Sequence, residues 1–124
     1  MKKRESAASR ILLFFCTRQR PEDFPGLQVL ALGPGEVRAV EVPCSGRVGT
    51  GDIMQGLAAG YDKVAVLSCG ERSCLYSFGC REAKKAMARA RRAAEVGGID
   101  PNRLIFIEAD DPEIQKIKTG EKRS

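Results

Sequence analysis

The chain has 124 residues, of which 43% are hydrophobic, with 21 Lys and Arg against 16 Asp and Glu, five Cys and no His. This length fits one domain with one hydrophobic core. Without histidine the chain cannot by itself form a Ser-His-Asp triad, a Cys-His dyad, a His-ligated zinc site or a Rieske cluster, so the cysteines are the natural candidates for any chemistry.

Four short hydrophobic segments have the length and composition of β-strands: residues 11–16, 37–44, 63–69 and 103–109. Three of them are nearly continuous apolar runs, which favours strands that are covered on both faces. Charged residues interrupt the segment 37–44, which favours an edge position. The weaker segment 27–32 is either a further short strand or part of a loop.

Three segments have helical periodicity: residues 51–60, 80–96 and 111–118. The first carries an apolar face, with Thr50 or Asp52 as its N-terminal cap. The second is the clearest, because its apolar positions recur every three to four residues before Gly97 ends it: Ala83, Ala86, Met87, Ala90 and Ala94. The alternation of strands and helices predicts a small single α/β domain with a mainly parallel sheet of four or five strands and flanking helices.

We place the domain at residues 10–118, between a flexible basic N-terminal arm (1–9) and a frayed tail (119–124). No stretch approaches the roughly 18 apolar residues that a membrane span needs. The apolar run 11–16 is too short for a signal-peptide core, and charged residues follow it. We therefore expect a cytoplasmic protein, in which clustered cysteines more often indicate metal or redox chemistry than disulfides.

The positive charge is concentrated in residues 1–10 and 81–92. A basic helix face is most often simply solvated, and docking to an acidic protein is the next interpretation. Nucleic acid is disfavoured because the chain has no helix-turn-helix, RNA-recognition or zinc-finger pattern. It also has no Gly-x-Gly-x-x-Gly or Walker loop, so we do not expect it to bind a nucleotide.

The cysteines follow the predicted strands. Cys16, Cys44 and Cys69 end the first three, Cys74 lies in the next loop, and Cys80 begins the basic helix. Because the carboxyl ends of parallel strands lie along one edge of a sheet, these residues are expected to converge there. Four thiolates without histidine suit an iron–sulfur cluster or a structural zinc ion. A thiol redox domain and plain buried cysteines are the remaining alternatives.

Most of the chain, about residues 10–110, resembles a known family, the iron–sulfur delta subunit of methyl-viologen-reducing hydrogenase. The combination of a Cys-Ser-Gly-Arg segment with a later Cys-x4-Cys is fairly specific, whereas either alone is not. The matching stretches are Val42–Val48, Gly60–Gly70, Cys74–Tyr76 and Gly98–Leu104.

The resemblance implies an electron-transfer subunit with one [2Fe-2S] cluster, which is not an enzyme by itself. Such subunits relay electrons from a hydrogenase or another oxidoreductase to the flavin subunit of a heterodisulfide-reductase-like, in some cases electron-bifurcating, complex. Carried over by position, the metal ligands are Cys16, Cys44, Cys69 and Cys74. A structural four-cysteine zinc module is the main alternative.

The chain departs from the family's pattern at three positions. The family has Cys-x2-Cys after the first strand, whereas Cys16 has no second cysteine; Leu75 replaces a usual His, and Cys80 replaces a usual Asn. Cys80 is therefore the alternative ligand, or else a spare thiol. Arg47 is a candidate for raising the cluster's reduction potential, and bonding to loop carbonyls is its plainer role.

Overall fold

The computed structural model describes residues 9–70 and 78–118, in which four parallel strands form one sheet. The strands lie in the order β2-β1-β3-β4, so the first strand is central and the second lies at an edge. All three pairings are parallel, which confirms the predicted α/β class and the edge position of the second strand. The bounds are β1 Arg10–Cys16, β2 Glu36–Val42, β3 Lys63–Ser68 and β4 Leu104–Glu108.

Helices follow the strands and flank the sheet. They are α1 Thr50–Ala58, α2 Gly79–Val96 and α3 Pro112–Gln115. The apolar stripe predicted for the second helix is buried in full, and this helix packs with α1 over one face of the sheet. The opposite face is covered mainly by the segment between β1 and β2, through Phe24, Leu27 and Leu32, and by Ile114 of α3. The domain therefore has three layers around a sheet with two apolar faces.

The segment 27–32 is helical, so it does not supply a fifth strand. Residues Gln28–Leu32 form one wide helical turn, and the Gly33 amide donates to the Gln28 carbonyl at 2.6 Å. Gly33 then leaves the turn with a φ of +83°, a conformation that glycine adopts without steric cost. The turn packs Leu27 and Leu32 against the sheet, so this apolar segment buries its side chains without forming a β-strand.

The prediction that Thr50 or Asp52 is the N-terminal cap of α1 was wrong. Gly49 is the capping residue, and its amide donates to the Asp52 carboxylate at 2.9 Å. Asp52 thus bonds back to the residue that precedes the helix and lies in the first turn, where a negative charge also suits the helix dipole. The Thr50 hydroxyl instead donates to the Ala86 carbonyl at 3.3 Å and joins the two large helices.

The last predicted helix is shorter than expected. It spans Pro112–Gln115, with Pro112 in its first turn as predicted and the Asp111 carboxylate accepting from the Glu113 amide at 2.8 Å. The predicted N-terminal arm, except for residue 9, and the predicted tail lie outside the described residues. Among the residues described, no helix is both long and apolar enough to cross a membrane.

Gly56 allows α1 to lie close to the sheet. A Cβ atom at this position would lie 2.9 Å from Leu12 Cδ2 and from Val64 Cγ2, closer than carbon atoms tolerate. Gly51, in the same helix, is exposed, and a Cβ atom on it would have nothing within 4 Å. The two glycines therefore form a matched pair, one in a packed position and the other in an open one.

We predict that Gly51→Ala raises the free energy of unfolding by about 0.5–1 kcal/mol, because alanine restricts the unfolded chain more than glycine does. Gly56→Ala is expected to be less stable than Gly51→Ala by about 1–3 kcal/mol, the usual cost of overpacking. Urea unfolding of both variants measures the difference. Equal stabilities would show that α1 does not press on Leu12 and Val64 as the structure indicates.

Candidate metal centre

Three cysteines meet at the carboxyl edge of the sheet. Cys16 is the last residue of β1, Cys69 follows β3 directly, and Cys44 lies two residues beyond the end of β2. The central strand β1 pairs with β2 on one side and with β3 on the other. The chain order of the strands therefore brings together cysteines that are 25 to 53 residues apart in sequence.

Cys16 and Cys69 form the closest pair. Their Sγ atoms are 3.6 Å apart, and the two residues are only 4% and 3% exposed. Two thiolates that bind one tetrahedral iron or zinc ion with metal–sulfur distances of about 2.3 Å have their sulfurs about 3.8 Å apart. The pair thus fits two ligands of one metal ion in both chemistry and spacing.

Cys44 lies at the same edge of the sheet and is partly exposed. Its sulfur accepts a hydrogen bond from the Gly46 amide at 3.4 Å, which orients the side chain at the start of a short helical turn. Cys44 lines a cavity of about 440 Å³, together with Arg47, Phe78 and Gly79. This third sulfur therefore lies at the solvent side of the group.

The pKa of the Cys16 thiol is raised to about 11. Burial is the largest cause, and the neighbouring sulfurs of Cys69 and Cys44 add to it, against a hydrogen bond with the backbone at Arg18. In the metal-free protein Cys16 is a neutral thiol at pH 7, and a metal ion that binds it must displace the proton.

Cys80 lies under the start of α2 and is fully buried. Burial raises the pKa of its thiol, and a hydrogen bond with Ser68 opposes the shift. The Ser68 hydroxyl also pairs with the Ser45 hydroxyl at 3.2 Å and accepts from the Gly70 amide at 3.2 Å. Cys80 thus belongs to a buried polar group with two serines.

The serines are site residues that the sequence analysis did not single out. Ser45 and Ser68 are the buried polar side chains of the described part of the chain. The signal was present, because Ser45 follows Cys44 and Ser68 precedes Cys69. These two hydroxyl groups form hydrogen bonds next to Cys44 and Cys69: Ser45 bonds to Ser68, and Ser68 accepts from the Gly70 amide.

Two glycines fix the backbone around the sulfurs. Gly70 has a φ of +96°, and a Cβ atom there would collide with the Asp110 carboxylate. A Cβ atom on Gly46 would lie 3.0 Å from the Cα of Gly79, so the turn after Cys44 packs backbone to backbone against the start of α2. The loop that leaves β3, the turn that follows β2 and the first turn of α2 therefore form one close-packed unit.

The predicted set of four ligands is described in part. Cys74 lies outside the described residues, and within residues 9–70 and 78–118 no three Cys, Asp or Glu side chains form a group able to hold a metal ion. The structure brings Cys16, Cys44 and Cys69 to one edge, and it places Cys80 beside Ser68. Arg47 is exposed and lies in the turn that follows Cys44.

Fold and site together define a small parallel α/β domain that carries a buried cysteine pair at the carboxyl edge of its sheet. The chain belongs to the family of methyl-viologen-reducing hydrogenase delta subunits, which matches residues 11–121. This confirms the resemblance found in the sequence, and it places the chain in a family of hydrogenase subunits.

A related protein also supports the assignment to a family of hydrogenase subunits. Over 84 residues the chain is 33% identical to an iron-sulfur subunit of the F420-non-reducing hydrogenase vhu from Methanopyrus kandleri. The match covers 68% of this chain and 64% of the relative. The chain thus spans less than two thirds of the length of this relative.

We predict that the metal-free protein loses stability between pH 9 and pH 11 through Cys16. The folded state raises the pKa of this thiol from 9.0 to about 11, so between these values the folded chain holds a proton that the unfolded chain has lost. The stabilisation is complete below pH 9 and disappears as the pH rises through the folded pKa. Urea unfolding at pH 8 and pH 10.5 should show a larger loss for the wild type than for Cys16→Ala.

Thiolate absorbance near 240 nm provides an independent check on the same two proteins. The difference between their titration curves isolates Cys16 from the two tyrosines and the four other cysteines, which also absorb in this region when they ionise. Equal losses of stability, with a Cys16 titration near pH 9, would contradict the burial of this thiol.

Proposed function

We propose that the chain is an electron-transfer subunit of a hydrogenase complex and carries one [2Fe-2S] cluster, with Cys16, Cys44, Cys69 and Cys74 as its ligands. The observation that carries the proposal is the buried Cys16–Cys69 pair with its 3.6 Å sulfur separation, in a chain of this family. The iron–sulfur name of the relative favours iron over zinc.

The described thiols suit a metal better than they suit thiol catalysis. A nucleophilic cysteine is accessible and has a lowered pKa. Cys16 and Cys80 are both buried, and burial raises the pKa of each. The raised pKa of Cys16 keeps this buried thiol uncharged when no metal is bound, and a bound metal would supply the positive charge that compensates its thiolate.

The bound cluster would supply one-electron redox chemistry, and the chain's own residues would set the conditions for it. Cys16 and Cys69 hold their side of the site away from water, whereas Cys44 lies beside a cavity open to solvent. Arg47 lines the same cavity as Cys44, so its positive charge favours the more negative, reduced state. Cys80 is the alternative ligand, because its helix begins next to the turn that follows Cys44.

Two redox partners follow from this function. Electrons enter from a hydrogenase or another donor and leave towards a flavin subunit of the heterodisulfide-reductase type. The chain would make and break no bond in a substrate, so the catalytic activity belongs to the complex. The absence of histidine from the sequence supports this division of labour.

The deciding experiment is metal and sulfide analysis of the anaerobically purified protein, with electron paramagnetic resonance after reduction. We expect about two irons and two sulfides per chain, and a rhombic signal on reduction. Single Cys→Ser variants then identify the ligands: loss of most of the iron from Cys16→Ser, Cys44→Ser, Cys69→Ser and Cys74→Ser, and retention in Cys80→Ser.

Cys80→Ser is a matched control, because Cys80 is as buried as Cys16 and Cys69. Loss of iron from this variant, with retention in one of the other four, would instead make Cys80 the fourth ligand. One zinc ion and no iron after anaerobic reconstitution would overturn the electron-transfer proposal and leave a structural module.

We predict that Arg47→Gln lowers the reduction potential of the cluster, because the variant removes a positive charge beside Cys44. Arg38→Gln is the control: it removes the same charge from an exposed position on β2, away from the carboxyl edge. A redox titration followed by paramagnetic resonance measures both potentials. Equal potentials in the two variants would assign Arg47 a structural role in its turn.

A further inference from the structure

We propose that the exposed face of α2 is the docking surface for an acidic protein partner, and that docking brings the partner's redox group to the Cys44 side of the site. The inference rests on the proposed function, because it identifies the surface through which the electron transfer would occur. It is carried by the charge and burial of α2 and by the packing of the first turn of this helix.

Four basic residues form one stripe along α2, which we call the basic stripe: Arg81, Lys85, Arg89 and Arg92. All are exposed and follow one another at helical spacings of three and four residues, opposite the buried alanines. With a rise of 1.5 Å per residue the stripe is about 17 Å long. It presents a row of four positive side chains over about three turns of the helix.

Most of this charge is uncompensated within the described residues. Lys85 makes a surface ion pair with Glu82 at 3.6 Å, which is worth little in water. Arg81, Arg89 and Arg92 make no ion pair or hydrogen bond within the described residues. Arg91 differs, because it donates two hydrogen bonds to the Leu104 carbonyl at 3.1 and 2.8 Å and holds the helix on the sheet.

The basic stripe begins beside the candidate metal centre. Gly79, two residues before Arg81, packs its backbone against Gly46 in the turn that follows Cys44. Phe78 immediately precedes the helix, is 64% exposed and lines the same cavity as Cys44. A partner that lies along the stripe therefore reaches the most exposed of the three described sulfurs at the edge.

The apolar residues at the two ends of the helix favour a protein partner. Phe78 lies before its first turn, and Val96, which is 88% exposed, is its last residue. Protein interfaces combine such apolar anchors with a polar rim, and the charges of the rim steer the encounter. Between Arg81 and Arg92 the helix has no aromatic side chain on which successive bases could stack, so it is less suited to single-stranded nucleic acid.

A second copy of the chain is a poor source of the acidic surface. The acidic segment of this chain, residues 108–113, begins at the end of β4. Glu108 pairs with Lys84, and Asp111 caps α3, so these two carboxylates are engaged within the chain. The complementary charge is therefore expected on a different protein.

Carbodiimide cross-linking of the holoprotein, purified together with the redox subunits that accompany it, tests the surface directly. The reagent joins an amine to a carboxylate in contact with it, so Lys85 should cross-link to an Asp or Glu of a flavin- or iron–sulfur-containing subunit. Lys85→Arg keeps the charge and should abolish this cross-link alone. The sites are read by mass spectrometry.

Charge-reversal variants measure how much the basic stripe contributes to the binding affinity. We expect Arg89→Glu with Arg92→Glu to weaken binding to the same subunits by at least about tenfold at low salt, and to flatten the salt dependence. The control is Arg38→Glu with Lys116→Glu, an equal change in charge at two exposed positions off the helix. It should bind within about threefold of the wild type.

Three results would overturn the inference: equal binding by both double variants, cross-links of Lys85 to a second copy of the chain, or salt-dependent retention of nucleic acid in place of a protein. Iron and sulfide content is measured on every sample. If the variant Arg89→Glu with Arg92→Glu contains its full iron and binds as the wild type does, the docking surface is rejected and the electron-transfer function is retained. If the wild type contains no iron but the helix variant still loses binding, the electron-transfer function is rejected and the docking surface is retained.

Discussion

The parallel pairing of β1 with both of its neighbours is the constraint on which the site depends. Cys16 lies opposite Val42 of β2, and Phe15 lies opposite Leu67 of β3, so all three strands reach their carboxyl ends at nearly the same level. Cysteines placed just beyond three different strands are thereby brought to one edge without any direct link between them. Because the register also assigns each side chain to one face of the sheet, a shift by one residue would move Leu13 and Phe15 out of their core and separate the sulfurs at the same time.

The backbone around the sulfurs is closely packed, and burial raises the pKa of the Cys16 and Cys80 thiols. Gly70 must remain glycine because of its φ of +96° and the nearby Asp110, and Gly46 must remain small because its backbone packs against Gly79. The buried Ser45–Ser68 hydrogen bond ties the turn after β2 to the end of β3. In the proposed metal site this framework would restrain the turns that carry Cys44 and Cys69, while burial keeps the Cys16 thiol protonated when no metal is bound.

The sequence predicted the strands, the two larger helices and the position of Cys16, Cys44 and Cys69 at one edge, because these features follow from hydrophobic periodicity and from one rule about parallel sheets. It failed where tertiary contacts decide between local alternatives. Residues 28–32 are apolar enough for a strand, yet they form a helical turn because Leu27 and Leu32 fill a gap over the sheet. Gly49 caps α1 because Asp52 reaches back to its amide, a bond that residue preferences alone did not identify. The serine pair was missed because its two members lie 23 residues apart and only the fold brings them together.

The three cysteines at the edge differ in their exposure to solvent. Cys16 and Cys69 are enclosed by the ends of two interior strands, whereas Cys44 follows the edge strand and opens to a cavity beside the exposed Phe78. Electron transfer depends on close approach of the redox groups, so under the proposed function Cys44 gives a partner the shortest approach to the three described sulfurs at this edge. The same side carries the first turn of α2 and the start of the basic stripe. Strand order therefore determines where Cys16, Cys44 and Cys69 converge and which of them is nearest to solvent. Under the proposed function, a long-range attraction on that side would raise the rate of the encounters that bring the redox groups together.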